Sequence, residues 1–373
     1  MTPAQIYLDY NASTPIAPEV AAAMRPLLDM GFGNPSSDHW AGRPARGAVD
    51  AARADIATLL GCETGEVVLT SGGSEANNHV IKGMLAGRDP TRTHVVTSAI
   101  EHPAILEPCR YLKQLGARVT IVGVDHHGLV DPADIKAALT PETVLVSVMH
   151  ANNEVGTIQP IAEIAAIAHA HGALCHTDAA QSVGKIPTRV DELGVDLLSL
   201  AGHKLYAPKG VGALFIRRAI SLPPLIDGGG HEQGRRAGTE SALLASGLGA
   251  ACRLATTAPC YEHLRTLRDR FWDALATQFG NRMVLNGHPE RRLPNTLNVA
   301  FPGQSGPDLL ARLDGVAAST GSACHTGAVT MSPVLTAMRL DPELGRGAIR
   351  FSLGRQTTAA EIDATVARLE ALL

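Results

Sequence analysis

The residues best suited to chemistry are a lysine and an aspartate that close two neighbouring apolar runs. Val195-Asp196-Leu197-Leu198-Ser199-Leu200 stops at Ala201-Gly202-His203-Lys204, and Ala173-Leu174-Cys175-His176-Thr177 stops at Asp178-Ala179-Ala180-Gln181. Short apolar runs that end in small and polar residues read as buried strands delivering those residues to a sheet edge. A lysine can form a Schiff base with a carbonyl compound, and a carboxylate can keep a pyridine nitrogen protonated. The pair therefore has the chemistry that a pyridoxal phosphate enzyme needs. A single lysine after a strand is more often a surface group, so other residues must converge on the same edge to support that reading.

Several do. Ser71-Gly72-Gly73-Ser74-Glu75 lies between a strand-like run and a helix-like one. There, Gly73 and Ser74 would offer backbone and hydroxyl donors to a phosphate at a helix start. His102, in Ser98-Ala99-Ile100-Glu101-His102-Pro103, follows the next strand and could stack on a ring, relay a proton or simply cap a helix. Asn153, in His150-Ala151-Asn152-Asn153-Glu154, can donate to a ring oxygen or serve the turn. Further on, Cys324 sits among small residues in Ser319-Thr320-Gly321-Ser322-Ala323-Cys324-His325-Thr326-Gly327, a context suited to a nucleophile that must travel. Arg350, alone in the apolar run Ile349-Arg350-Phe351-Ser352-Leu353, needs a partner. A substrate carboxylate would match it in a bidentate way, and an inter-domain salt bridge is the other possibility. No metal site is expected, because His169, His171 and His176 do not share one face of one element.

The elements that position these groups alternate. Strand-like runs at 67–69, 94–96, 119–122, 144–149, 173–177 and 195–200 are separated by helix-like stretches such as 104–115, 132–139 and 161–171. Apolar strands alternating with amphipathic helices predict an α/β fold with a mostly parallel, seven-stranded sheet covered on both faces. The seventh strand, 213–216, follows its predecessor too closely for a helical crossover and is expected to pair antiparallel. Near residue 256 the texture changes to a smaller α+β region. We therefore expect a large domain over 15–256, and a small domain formed by 1–14 and 257–373 that carries Cys324 and Arg350.

Composition narrows the classes further. The chain has 373 residues, is 45% hydrophobic and only 3% aromatic, which suits close helix-on-sheet packing. A formal net charge of -4 without a basic block argues against nucleic acid as a partner. No apolar run reaches membrane-spanning length, and the first residues lack the pattern of a secretory signal. The six scattered cysteines form no Cys-x-x-Cys pair, so reduced thiols in a cytoplasmic setting are expected.

Taken in order, Tyr7-Leu8-Asp9-Tyr10-Asn11-Ala12, Thr70-Ser71-Gly72-Gly73-Ser74-Glu75, Glu101-His102, Asn152-Asn153-Glu154-Val155-Gly156, Thr177-Asp178-Ala179-Ala180-Gln181, Gly202-His203-Lys204, Gly238-Thr239-Glu240, Gly321-Ser322-Ala323-Cys324 and Arg350-Phe351-Ser352-Leu353-Gly354-Arg355 resemble the motifs of pyridoxal-phosphate-dependent cysteine desulfurases. The resemblance spans essentially the whole chain. It implies fold type I of the pyridoxal phosphate enzymes, with Lys204 as Schiff-base residue, Asp178 on the pyridinium nitrogen, and Asn153 and Gln181 near the ring oxygen. It also implies His102 stacked on the ring and Ser74 and His203 on the phosphate, with Thr239 reaching the phosphate from the second subunit of a homodimer. Arg350 would hold the substrate carboxylate and Cys324 would take the sulfur of L-cysteine as a persulfide, leaving L-alanine. An iron–sulfur scaffold or another sulfur-acceptor protein is the implied partner. Two departures stand out. Ala201 replaces a serine that many relatives place two residues before the histidine of the lysine motif. Cys324-His325 followed by Ser332-Pro333-Val334-Leu335 resembles the selenocysteine lyases of the same fold, which makes L-selenocysteine the alternative substrate. A non-catalytic sulfur carrier on this fold is the remaining option, and the joint presence of Lys204, Asp178 and Cys324 argues against it.

Overall fold

The computed structural model describes residues 5–320 and 331–373. β1 (Ile6–Tyr7) precedes a seven-stranded sheet made of β2 (Val67–Thr70), β3 (His94–Ser98), β4 (Arg118–Val122), β5 (Thr143–Ser147), β6 (Leu174–Asp178), β7 (Leu197–Ala201) and β8 (Gly212–Ile216). The strand order is β2-β8-β7-β6-β5-β3-β4. β4, β3, β5, β6 and β7 pair in parallel, whereas β8 runs antiparallel to both β2 and β7, as the short connection between β7 and β8 requires. Every residue of β2, β3, β7 and β8 is buried, which matches apolar runs without alternation. β4 is the exposed edge: Ile121 is 48% accessible there.

Three further strands, β9 (Val284–Asn286), β10 (Thr296–Ala300) and β12 (Ala348–Ser352), form an antiparallel sheet in the order β12-β10-β9. β11 (Val316–Ala317) pairs with β1 in parallel. A second apolar cluster gathers around these strands, with Phe271 and Phe351 in edge-to-face contact at 5.1 Å between ring centroids.

One long helix, Ala242–Thr257, was not anticipated from the sequence. Its interior carries Ser246, Gly247 and Gly249, which weaken the helical signal. The tertiary structure uses those glycines for close approach to the Gly42–Leu60 helix and the Lys204 region. A Cβ at Gly249 would lie 2.5 Å from Ala52 Cα, and one at Gly247 would lie 2.8 Å from Pro208 Cδ. Helix starts elsewhere follow local chemistry. Asp131 and Ser332 accept hydrogen bonds from backbone N–H groups as N-caps, each followed by Pro, and Thr358 forms a capping box with Glu361.

Gly212 on β8 is a place where packing forbids a side chain. A Cβ there would sit 2.5 Å from Leu200 O and 2.7 Å from Gly72 Cα, in the turn that leads into the Gly73–Gly83 helix. Gly212→Ala is expected to lower stability by about 1–3 kcal/mol through overpacking. Denaturant unfolding measures this, and an unchanged midpoint would show that the turn retreats freely.

Candidate active site

The carboxyl ends of β2, β3, β5, β6 and β7 face one cavity of about 650 Å³. That volume lies inside the range of roughly 300–1,000 Å³ usual for small-molecule sites. Gly73, Ser74, His102, Asn153, Asp178, Gln181, His203, Lys204 and Arg350 all line it. Parallel strands explain the convergence, because each turn that leaves a parallel strand at its carboxyl end emerges on the same edge of the sheet.

Lys204 ends a single 3₁₀ turn, Gly202–Lys204, that follows β7 directly. The turn is stitched to the N-terminal segment. Thr14 N–H donates to His203 O at 2.9 Å, and Tyr206 N–H donates to Thr14 Oγ1 at 2.8 Å. Lys204 Nζ donates to Asn11 O at 2.6 Å and Ala12 O at 2.8 Å. Burial, reinforced by the Arg350 guanidinium, pulls its ammonium down to about 8 against the opposing pull of Asp9 and Asp178. A neutral amine is therefore accessible near physiological pH, which a nucleophilic lysine requires.

Asp178, at the end of β6, is fixed from two sides. Asn77 Nδ2 donates to Oδ2 at 2.6 Å and Ala180 N–H donates to Oδ1 at 2.9 Å. Asn77 stands three residues after Ser74 on the Gly73–Gly83 helix, so one face of that helix carries both a phosphate-end hydroxyl and the support of the acid. The helix begins at Gly72, which has φ of 145° and no side chain to cap the first N–H groups. Those donors remain available to an anion. Ala201 faces the same turn: a Cβ at Gly73 would lie 3.3 Å from Ala201 Cβ.

Two histidines border the cavity as neutral imidazoles. His203 Nδ1 is 3.4 Å from Ser13 Oγ, and burial together with Lys204 and Lys209 pulls its pKa down to about 4. His102 caps the Pro103–Gln114 helix by accepting the Ala104 N–H on Nδ1 at 3.0 Å. Its pKa is lowered by burial and by Lys204, against Asp178. With Nδ1 accepting, Nε2 is the protonated nitrogen. Capping and a place on the cavity thus coexist in His102.

Arg350, on β12, is buried and forms a salt bridge within the expected small domain rather than between domains. Nη2 pairs with Asp9 Oδ1 at 2.7 Å and Nη1 donates to Asn153 O at 3.0 Å, while Nε–H is buried without a partner among the described residues. Gln181 donates from Nε2 to Asn11 O at 2.9 Å and accepts on Oε1 from Lys185 Nζ at 2.9 Å. Thr239 is not on this cavity. It lines an adjoining one of about 220 Å³ that shares Ser71, Gly210 and Val211 with the first. Cys324 lies outside the described residues.

The site depends on three residues that the sequence reading did not single out: Asn11, Asn77 and Lys185. Asn77 had a weak signal in its spacing from Ser74. Asn11 stands in the N-terminal motif but its partners lie on other elements, and Lys185 follows Gln181 by four residues in one turn segment. Among the described residues, no group of histidine, cysteine and acidic side chains could hold a metal ion. The phosphate-ready helix start, the braced Asp178 and the low-pKa Lys204 together fit a phosphorylated pyridine aldehyde.

The sequence profile of the family described as aminotransferase class-V matches residues 6–365. The chain is 46% identical over 373 residues to cysteine desulfurase IscS of Dictyoglomus turgidum, covering 99% of this chain and 94% of that protein. It is 47% identical over 364 residues to a cysteine desulfurase of Gluconacetobacter diazotrophicus, covering 96% and 90%. Among solved structures, a NifS-like protein superposes with a TM-score of 0.92 at 34% identity over 99% of both chains. SspA in complex with cysteine gives 0.83 at 36% identity, over 93% of this chain and 98% of that one.

Covalent labelling of Lys204 with an acylating reagent in the cofactor-free protein should be half-maximal near pH 8. Peptide mass spectrometry reads the extent at each pH, and a midpoint at the ordinary lysine value of about 10.4 would contradict the buried environment.

Proposed function

The chain belongs to the class-V aminotransferase family, and from that premise we propose that it is a pyridoxal-phosphate-dependent cysteine desulfurase. It converts L-cysteine to L-alanine and transfers the sulfur to Cys324. The observation that carries this reading is the meeting of Lys204, Asp178 and the Gly73–Gly83 helix start on one cavity. The relatives reported above are named as desulfurases, which favours cysteine over selenocysteine as substrate.

Bound pyridoxal phosphate supplies an electron sink that lets bonds to the substrate's Cα and Cβ break. The chain's residues do the rest. Gly73, Ser74 and His203 hold the phosphate, with His203 donating as a neutral imidazole. Asp178, braced by Asn77, would hold the proton of the pyridine nitrogen. Gln181 and Asn153 would serve the ring oxygen, and His102 would stack on the ring. Lys204 anchors the cofactor and then moves a proton at the substrate's Cα. Arg350 would bind the substrate carboxylate through its guanidinium, its position fixed by Asp9 and Asn153. The Cys324 thiolate attacks the substrate sulfur. The Cβ–S bond breaks, a persulfide S–S bond forms on Cys324 and alanine is released, so atoms and electrons balance without an added oxidant. The persulfide then passes to an acceptor, for which an iron–sulfur scaffold protein is the expected class.

A homodimer completes the site in this reading. Thr239 lies off its own cavity, where it can serve the phosphate of a second copy. An apolar patch supports association: Phe32 and Trp40 are 75% and 76% accessible and meet edge-on at 6.2 Å, with Leu28 and Met30 exposed on the preceding helix. No helix among the described residues is long and apolar enough to cross a membrane, and the described cysteines are all unpaired. A cytoplasmic enzyme is consistent with both.

Alanine release from cysteine and from selenocysteine tests the substrate. Comparable turnover of cysteine supports the desulfurase, and alanine from selenocysteine alone overturns it. Cys324→Ala should abolish persulfide yet keep the visible band of the bound cofactor, and Lys204→Ala should lose that band. Retention of the band in the lysine variant would refute the Schiff-base assignment.

Ala201→Ser should tighten pyridoxal phosphate binding by about five- to tenfold, the worth of one added hydrogen bond. Equilibrium titration of cofactor-free protein measures it. Weaker binding would mean that the hydroxyl crowds Gly73 instead of reaching the phosphate.

A further inference from the structure

Lys185 is a second lysine buried behind the first. It lies in the turn after β6, is 5% accessible, and among the described residues no carboxylate pairs with it. Its Nζ contacts Gln181 Oε1 at 2.9 Å and Asn11 Oδ1 at 3.4 Å. Burial, with Lys204 and Arg350 nearby and only Cys260 opposing, draws its pKa down to about 7. Burying an unpaired amine is unfavourable, and packing alone would be served better by an apolar side chain.

The contact with Gln181 is directional. In its ammonium form Lys185 can only donate, so the amide atom that faces Nζ is then the oxygen. The amide NH₂ is thereby turned the other way, to Asn11 O, which also receives Lys204 Nζ. Without the lysine the bond to Asn11 O would be left to hold the amide, and rotation by half a turn would present its oxygen to the cavity. That face would repel, not stabilise, an anionic ring oxygen.

We propose that Lys185 is a positioning residue that fixes the orientation of the Gln181 amide, so that a donor faces the ring oxygen of the bound cofactor beside Lys204. This rests on the cofactor reading above for its chemical consequence, but the orientation itself belongs to the chain alone.

Two measurements test it. In the cofactor-free protein, selective ¹⁵N labelling of glutamine side-chain amides reports Gln181, assigned by its disappearance in Gln181→Leu. Lys185→Met, which keeps the stem and removes the donor, should make that amide exchange with solvent about tenfold faster, as loss of one hydrogen bond implies. Unchanged exchange overturns the proposal, and Lys185→Leu serves if the methionine variant does not fold. In the loaded enzyme, the pH midpoint of the visible band should move by about half a unit or more in Lys185→Met and in Gln181→Leu. The double variant should move no further than Gln181→Leu alone, because the two residues act as one unit. Additive shifts, or no shift in Lys185→Met, overturn the proposal. A wild-type chain that binds no pyridoxal phosphate would refute the proposed function instead, and the amide exchange would still decide the role of Lys185.

Discussion

One buried asparagine ties the molecule together. Asn11 is 1% accessible, and each of its polar groups has a partner on a different element. Its N–H donates to Ser352 Oγ at 2.9 Å, and its carbonyl accepts from Lys204 and Gln181. Its side-chain oxygen accepts from Asn295 Nδ2 at 3.0 Å and from Lys185, while its amide donates to Thr296 Oγ1 at 2.8 Å and Asn153 O at 3.2 Å. A buried amide with all its bonds made specifies one arrangement of its neighbours, since moving any of them leaves a polar group unpaired. The N-terminal segment, the β10–β12 sheet and the edge of the large sheet are held in register through this residue. The catalytic geometry inherits that register.

The second constraint is electrostatic. Lys204, Lys185 and Arg350 share one buried region, where Asp9 and Asp178 oppose the shift at Lys204 and Cys260 opposes it at Lys185. Removal from water raises the free energy of each charge, and neighbouring positive charges raise it further. The system relaxes by holding amines neutral at accessible pH. A reactive lysine therefore follows from packing plus crowding, without a dedicated base beside it. Glu101 shows the complementary case. Buried beneath the edge and pushed up to about 8, it accepts from Ser98 Oγ at 2.5 Å and Met149 N–H at 2.9 Å, joining the ends of β3 and β5 on either side of His102.

Much of the fold was legible locally. Apolar runs of three to six residues and the helical stretches between them gave the strands, and the tight link between β7 and β8 gave the antiparallel reversal. The Ala242–Thr257 helix was not legible, because its small residues read as weak helix formers until the neighbouring helix that needs their small size is in view. The cavity residues Ser74, His102, Asp178, His203 and Lys204 could be found because each ends or directly follows a strand or starts a helix, and Asn153 because it lies in the polar loop after one. Thr239 stands in a polar loop rich in phosphate-binding groups, but its role could be named only by resemblance, since it lies on the adjoining cavity.

The sequence by itself determined which residue types stand at strand ends and hence which chemistry the sheet edge can support. That information is local: hydrophobic period, small residues at turns, caps and the order of the motifs. Only the tertiary structure decided how those groups are held. The Asn11 network, the Asn77 brace on Asp178 and the Arg350 pairing with Asp9 all join residues far apart in the chain. Hydrogen-bond partners and burial depend on distances in space, and no local pattern encodes them. The lowered pKa of Lys204 is the clearest instance, for a lysine is identical in sequence whether water or protein surrounds it.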